Sequence, residues 1–83
     1  MTRLPRDISG QELCKGLENV FGYKVTRQSG SHIRLTTAVN GEHHVTVPNH
    51  ASIRLGTLAG IVGDVSLHFK ISRDETVRKL FER

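Results

Sequence analysis

Five histidines, His32, His43, His44, His50 and His68, are the side chains of this chain best suited to take or give a proton near neutral pH. His32 follows the glycine-containing segment Gln28-Ser29-Gly30-Ser31, and Arg34 stands two residues on, on the same side of an extended chain. An imidazole beside a guanidinium and the backbone amides of a glycine loop can activate a ribose 2′-hydroxyl while a phosphate is held close. On spacing alone, an exposed strand histidine without chemistry is the plainer reading. His43 and His44 are neighbours, so in a strand they face opposite ways and cannot chelate one metal together. His44 shares a face with His32 and can assist it or simply be solvated, whereas His43 faces inward and reads as structural. His50, in Val47-Pro48-Asn49-His50, reaches the same polar face or caps a local turn. His68 lies near a helix C-terminus, where positive charge is favourable, and receives no role.

Other chemistries find little support. The one cysteine, Cys14, cannot form an intramolecular disulfide, and it sits beside an apolar helix stripe with no activating base. No cysteine pair and no helical His-x-x-x-His pattern exist, so neither a metal nor another cofactor is expected. Gly30 and Gly41 read as hairpin residues. The four aromatic residues, Phe21, Tyr23, Phe69 and Phe81, avoid the polar sheet face, which argues against a base-stacking platform. Lysine and arginine outnumber aspartate and glutamate by 12 to 8. Between Asn19 and Gly63 the sole acid is Glu42, against Lys24, Arg27, Arg34 and Arg54. A basic middle of this kind attracts nucleic acid or an acidic protein. No apolar run approaches a membrane span and no secretion core opens the chain, so a soluble, cytoplasmic protein with no membrane partner is expected. At 83 residues the chain is expected to be one domain, residues 1–83.

The elements that must position these residues follow from periodicity. Ser9-Gly10-Gln11-Glu12 is a capping box, with Ile8 as a staple onto Leu13. Leu13, Leu17 and Val20 define a buried helical face, and Gly22 ends the helix. Tyr23 and Val25, Ile33 and Leu35, and Val45 and Val47 alternate as three strands. A three-residue loop Gln28-Ser29-Gly30 pairs Val25 with Ile33 and His32 with Thr26, and a loop Val39-Asn40-Gly41 pairs Leu35 with Val45 and Ile33 with Val47. These registers place Tyr23, Val25, Ile33, Leu35, Val45 and Val47 under the helices. They leave Lys24, Thr26, Gln28, His32, Arg34, Thr36, His44 and Thr46 on an open polar face without a carboxylate. Leu58, Ile61, Val62, Val65 and Phe69 form a second helical stripe. Ser72-Arg73-Asp74-Glu75 opens a short last helix through Val77, Leu80 and Phe81. The expected class is α+β: an α-β-β-β-α order like the double-stranded-RNA-binding fold, with a three-stranded antiparallel sheet, helices on one face and a short C-terminal helix.

With those segments in order, the chain resembles the HicA toxin family, the mRNA interferases of toxin–antitoxin pairs. The matching residues are Ser9-Gly10-Gln11-Glu12-Leu13, Arg27-Gln28-Ser29-Gly30-Ser31-His32, Val45-Thr46-Val47-Pro48-Asn49-His50, and Leu55-Gly56-Thr57-Leu58 with Ile61. They extend from about Ile8 to Val62. The resemblance implies the double-stranded-RNA-binding-like fold, cleavage of mRNA that arrests translation, His32 as the essential residue, and control by an acidic HicB-like antitoxin. In two places the chain departs from the family pattern. Ser66-Leu67-His68-Phe69-Lys70 looks longer than the usual connection between the last helices, and Ile33-Arg34-Leu35-Thr36-Thr37 lacks further aromatic or histidine residues.

The expected function is therefore a metal-independent endoribonuclease. His32 would deprotonate the 2′-hydroxyl, with Arg34 and Lys24 stabilising developing phosphorane charge. The amides of Ser29, Gly30 and Ser31 would add donors, Gln28 would join the RNA-binding set, and His44 or His50 would supply the proton. Two alternatives are a non-catalytic RNA-binding module and an interaction protein that docks an acidic partner through the same face.

Overall fold

The computed structural model describes residues 3–82. The chain runs α1 (Gly10–Phe21), β1 (Lys24–Ser29), β2 (His32–Thr37), β3 (His43–Pro48), α2 (Leu55–Phe69) and α3 (Arg73–Phe81). The strands form one antiparallel sheet in the order β1-β2-β3, giving the expected α+β class.

The start of α1 is fixed by reciprocal bonds. The Glu12 amide donates to Ser9 Oγ at 3.0 Å, and the Ser9 amide donates to Glu12 Oε1 at 3.1 Å. Gly22 ends the helix in the left-handed conformation, φ 73°. Leu13, Cys14, Leu17 and Phe21 are buried, but Val20 is 42% exposed, so the expected Leu13/Leu17/Val20 face is corrected. At about 100° per residue the buried arc centres between Leu17 and Phe21, and Val20 falls outside it.

The second hairpin has the expected register, Leu35 opposite Val45 and Ile33 opposite Val47. Asn40 and Gly41 take positive φ in its connection. The first hairpin differs. Ser29 pairs with His32, so the turn is the two residues Gly30-Ser31 rather than Gln28-Ser29-Gly30. Gly30 has φ 57°, as a tight turn with glycine in first place requires. The register then shifts between Val25 and Arg27, leaving Thr26 as a bulge, and Val25 pairs with Leu35 instead of Ile33. An extra residue reverses the alternation on either side of it. Arg27 therefore lies opposite Arg34 on the open face, and Gln28 lies opposite Ile33 on the other. Thr26 does not pair with His32. Its hydroxyl contacts Thr36 Oγ1 at 3.1 Å and the Arg34 carbonyl at 3.4 Å, which ties the bulge to β2.

The helices meet the sheet through β3, and every residue of β1 is exposed. Val25 points to the helix side as expected but remains 45% exposed, because no helix reaches that edge. The core joins Leu13, Leu17, Tyr23, Ile33, Leu35, Val45 and Val47 to Leu58, Val62, Val65 and Val77, and takes in Ile53 from the segment before α2. Helix α2 continues through Phe69 and ends at Lys70 in the left-handed conformation. It holds α3 by a buried hydroxyl pair, Ser66 Oγ and Thr76 Oγ1 at 2.7 Å. One of the two hydroxyl protons bridges the pair and the other donates to a helix carbonyl, that of Val62 from Ser66 or that of Ser72 from Thr76, so neither hydroxyl depends on water. The long Ser66–Lys70 segment is thus a helical extension that seats the last helix.

Candidate active site

His32 opens β2, between Ser29 of β1 and Pro48 of β3, and is exposed. Its surroundings are built from backbone. The Asn49 amide donates to the Ser31 carbonyl at 2.6 Å, drawing the end of β3 against the Gly30-Ser31 turn. The Gly10 amide donates to the His50 carbonyl at 2.9 Å, and Gln11 Nε2 donates to Asn49 Oδ1 at 3.0 Å. Pro48–His50 is thereby clamped between the turn and the first turn of α1. Gly10 is required there: a Cβ would run into the Pro48 carbonyl, with Asn49 Cα at 3.0 Å and Pro48 C at 3.1 Å. The histidine at the head of β2 is thus displayed on a frame anchored to the core helix.

The open face is ordered in cross-strand rows. Ser29, His32 and Pro48 form the first, Arg27, Arg34 and Thr46 the second, and Lys24, Thr36 and His44 the third. Rows two residues apart are separated by about 6.6 Å along the strands. Among the described residues, Lys24, Arg27 and Arg34 have no carboxylate within ion-pair distance. Solvated cations without acidic partners leave their field available to a polyanion.

Of the residues expected at the site, His32, Ser29, Gly30, Ser31 and Arg34 come together, with the His50 backbone close by. Lys24 lies at the far row. Gln28 is removed from the face by the bulge, and Arg27, which sequence reasoning left out of the site, takes its place. The missed signal was Gly30-Ser31 as a glycine-first turn: relative to the three-residue loop it moves Arg27 three residues along β2, to the other face, while Lys24 and Val25, beyond the bulge, move by two and keep theirs.

His44 does share the open face but is not beside His32. Two rows, about 13 Å of strand, separate them. Its Nε2 meets Glu42 Oε2 at 2.9 Å and its Nδ1 meets Thr36 Oγ1 at 2.7 Å. The expectation of a face without a carboxylate is corrected here: Glu42, from the connection before β3, bends back to engage His44.

His43 and His68 are structural. His43 Nδ1 meets the Tyr23 hydroxyl at 2.8 Å, and its ring stacks on His68 with centroids 4.5 Å apart and planes 12° from parallel. His68 Nε2 donates to the Val39 carbonyl at 2.9 Å, and Asn40 Nδ2 donates to the His68 carbonyl at 2.8 Å. The pair fastens the β2–β3 connection to the end of α2. Burial, reinforced by His68, lowers the pKa of His43. Burial, with a smaller contribution from Asp64, pushes the Tyr23 phenol up to about 12. Cys14 is pushed up to about 11 by burial and then by Glu18, which leaves its thiol protonated and unreactive. Among the described residues no three or more His, Cys, Asp or Glu side chains gather as a metal site, and no helix is long and apolar enough to cross a membrane.

An α+β fold with one helix-covered sheet face, and an open cationic face headed by the exposed His32, defines the class of protein. The family model of the HicA toxin of bacterial toxin–antitoxin systems matches residues 10–67, from α1 through most of α2. The chain belongs to the HicA toxin family and is the toxin component of a toxin–antitoxin system. No curated protein and no solved structure matches it.

Proposed function

We propose that this toxin is an endoribonuclease that cleaves mRNA, with His32 as its general base, and that a HicB-type antitoxin restrains it. The exposed His32 beside cations without acidic partners carries the reading. His32 takes the proton of a ribose 2′-hydroxyl, and that oxygen attacks the adjacent phosphorus. The bond to the 5′-oxygen breaks, the leaving oxygen takes a proton, and the products are a 2′,3′-cyclic phosphate and a free 5′-hydroxyl. Arg34 stabilises charge developing on the phosphoryl oxygens, and the amides of Ser29, Gly30 and Ser31 are further donors. His50 is the better proton donor of the two histidines considered, because His44 is distant and occupied by Glu42 and Thr36. Lys24 contributes long-range attraction to RNA. An acidic antitoxin docked over the same cationic face would exclude RNA, and mRNA as substrate places the action in the cytoplasm.

The test is RNA cleavage in EDTA by antitoxin-free protein, wild type against His32→Ala, together with growth on expression. Loss of cleavage and of growth arrest in the variant is expected, with a thermal midpoint near that of wild type. Undiminished cleavage by His32→Ala removes the general-base assignment. RNA bound intact by wild type favours a non-catalytic RNA-binding module.

A further inference from the structure

The bulge at Thr26 places Arg27 directly opposite Arg34, with Cβ atoms of such pairs about 5 Å apart. Like charges opposite one another disfavour a sheet, and among the described residues no carboxylate relieves this pair. The bulge is held by the Thr26 hydroxyl on Thr36 and on the Arg34 carbonyl, so the juxtaposition is built into the strand. Both arginines are exposed, one row from His32. Around them stand the hydroxyls of Thr26, Thr36 and Thr46, and among the described residues no Phe or Tyr stands in these rows. Two guanidinium forks over a hydroxyl-lined surface suit a phosphodiester, which accepts paired N–H donors, and not a stacked base.

We infer that Arg27 and Arg34 form a clamp for one phosphodiester of single-stranded RNA, holding the strand so that a neighbouring ribose lies over His32. The inference rests on the ribonuclease reading and adds Arg27 to it as a positioning residue. Arg27 acts on binding, so its loss raises KM far more than it lowers kcat, unlike the loss of Arg34.

The experiment measures binding of a short mixed-sequence single-stranded RNA to His32→Ala protein across a salt series. Arg27→Gln is introduced into that background, with Lys15→Gln, on the exposed side of α1, as a charge-matched control. Arg27→Gln is expected to weaken binding roughly tenfold and to flatten the logarithmic salt slope by about 0.7, the value for one lost phosphate contact on a single strand. Its thermal midpoint should hold or rise, since a like-charge pair has been removed. Lys15→Gln should leave the slope in place. An unchanged slope in Arg27→Gln, or an equal loss in Lys15→Gln, overturns the clamp alone. Absence of RNA binding by the His32→Ala parent at low salt overturns the clamp and the ribonuclease reading together.

Discussion

Adding one methyl group at Gly10 should destabilise this protein, although helix propensity argues the opposite. Alanine is favoured over glycine in a helix interior by about 0.5–1 kcal/mol, and Gly10 has no positive φ to penalise a side chain. Sterics reverse the sign. The new Cβ would overlap the Pro48 carbonyl and press on Asn49 Cα at 3.0 Å. Both obstacles are backbone, so no side chain can swing aside, and either α1 or the end of β3 must shift. Overpacking of this sort costs about 1–3 kcal/mol. The net loss centres on about 1 kcal/mol, equivalent to roughly 4–8 °C in Tm for a domain of this size. Gly60→Ala and Gly63→Ala are the internal comparison, since nothing lies within 4 Å of a Cβ at either position. They should gain about 0.5–1 kcal/mol each. The Gly10 shift should also reach the site, because the displaced Asn49 amide is bonded to the Ser31 carbonyl next to His32. A misplacement of about 1 Å can cost on the order of 100-fold in rate. Thermal unfolding by circular dichroism and RNA cleavage by the folded fraction read the two effects. A Gly10→Ala midpoint at or above wild type would show that the contact is not restrictive. Full cleavage by a destabilised variant would break the proposed link from α1 to the site.

Two further outcomes follow from the buried groups. His43 titrates below its ordinary 6.5 in the folded protein, so its contribution to stability is complete above that value and is lost as pH falls through the depressed one. Tm should therefore drop on acidification, with a smaller drop in His43→Gln, and equal pH dependence in the two proteins would rule His43 out as the source. Cys14, pushed up to about 11 and 4% exposed, should react with a thiol reagent at neutral pH only as fast as the protein opens. Rapid labelling of native protein would contradict its burial.

Where local chemistry decided the structure, the sequence was readable. The Ser9/Glu12 capping box, the Gly22 stop and the Leu35–Val45 register each depend on residue types that have few other uses. Arithmetic failed at Thr26, because alternation counting assumes an unbroken ladder and a bulge needs no particular residue. The error crossed two faces at once, exchanging Gln28 for Arg27 at the site. The Glu42–His44 contact and the Ser66–Thr76 pair were hidden for another reason. Each joins residues whose meeting depends on how a connection bends or a helix extends, which periodicity does not encode. The exposure of His32 was legible; the Pro48–His50 clamp that supports it was not, since it depends on α1 meeting the end of β3.

The same bulge explains why an exposed edge strand is tolerated. Strand β1 has every residue exposed and displays Val25, features that invite pairing with another chain. A bulge twists such an edge and interrupts its hydrogen-bonding groups, and Lys24 and Arg27 put charge on it. Opposed arginines weaken the β1–β2 pairing by about 0.2–1 kcal/mol, a sizeable fraction of the margin of a small domain. Protection of the edge alone does not require that cost, because Arg27 would guard the edge equally well opposite a neutral residue. An anion seated between Arg27 and Arg34 removes the repulsion, so the strand least supported by the core is the one RNA would stabilise most. RNA binding as proposed would thus couple occupancy of the arginine pair to local order at β1.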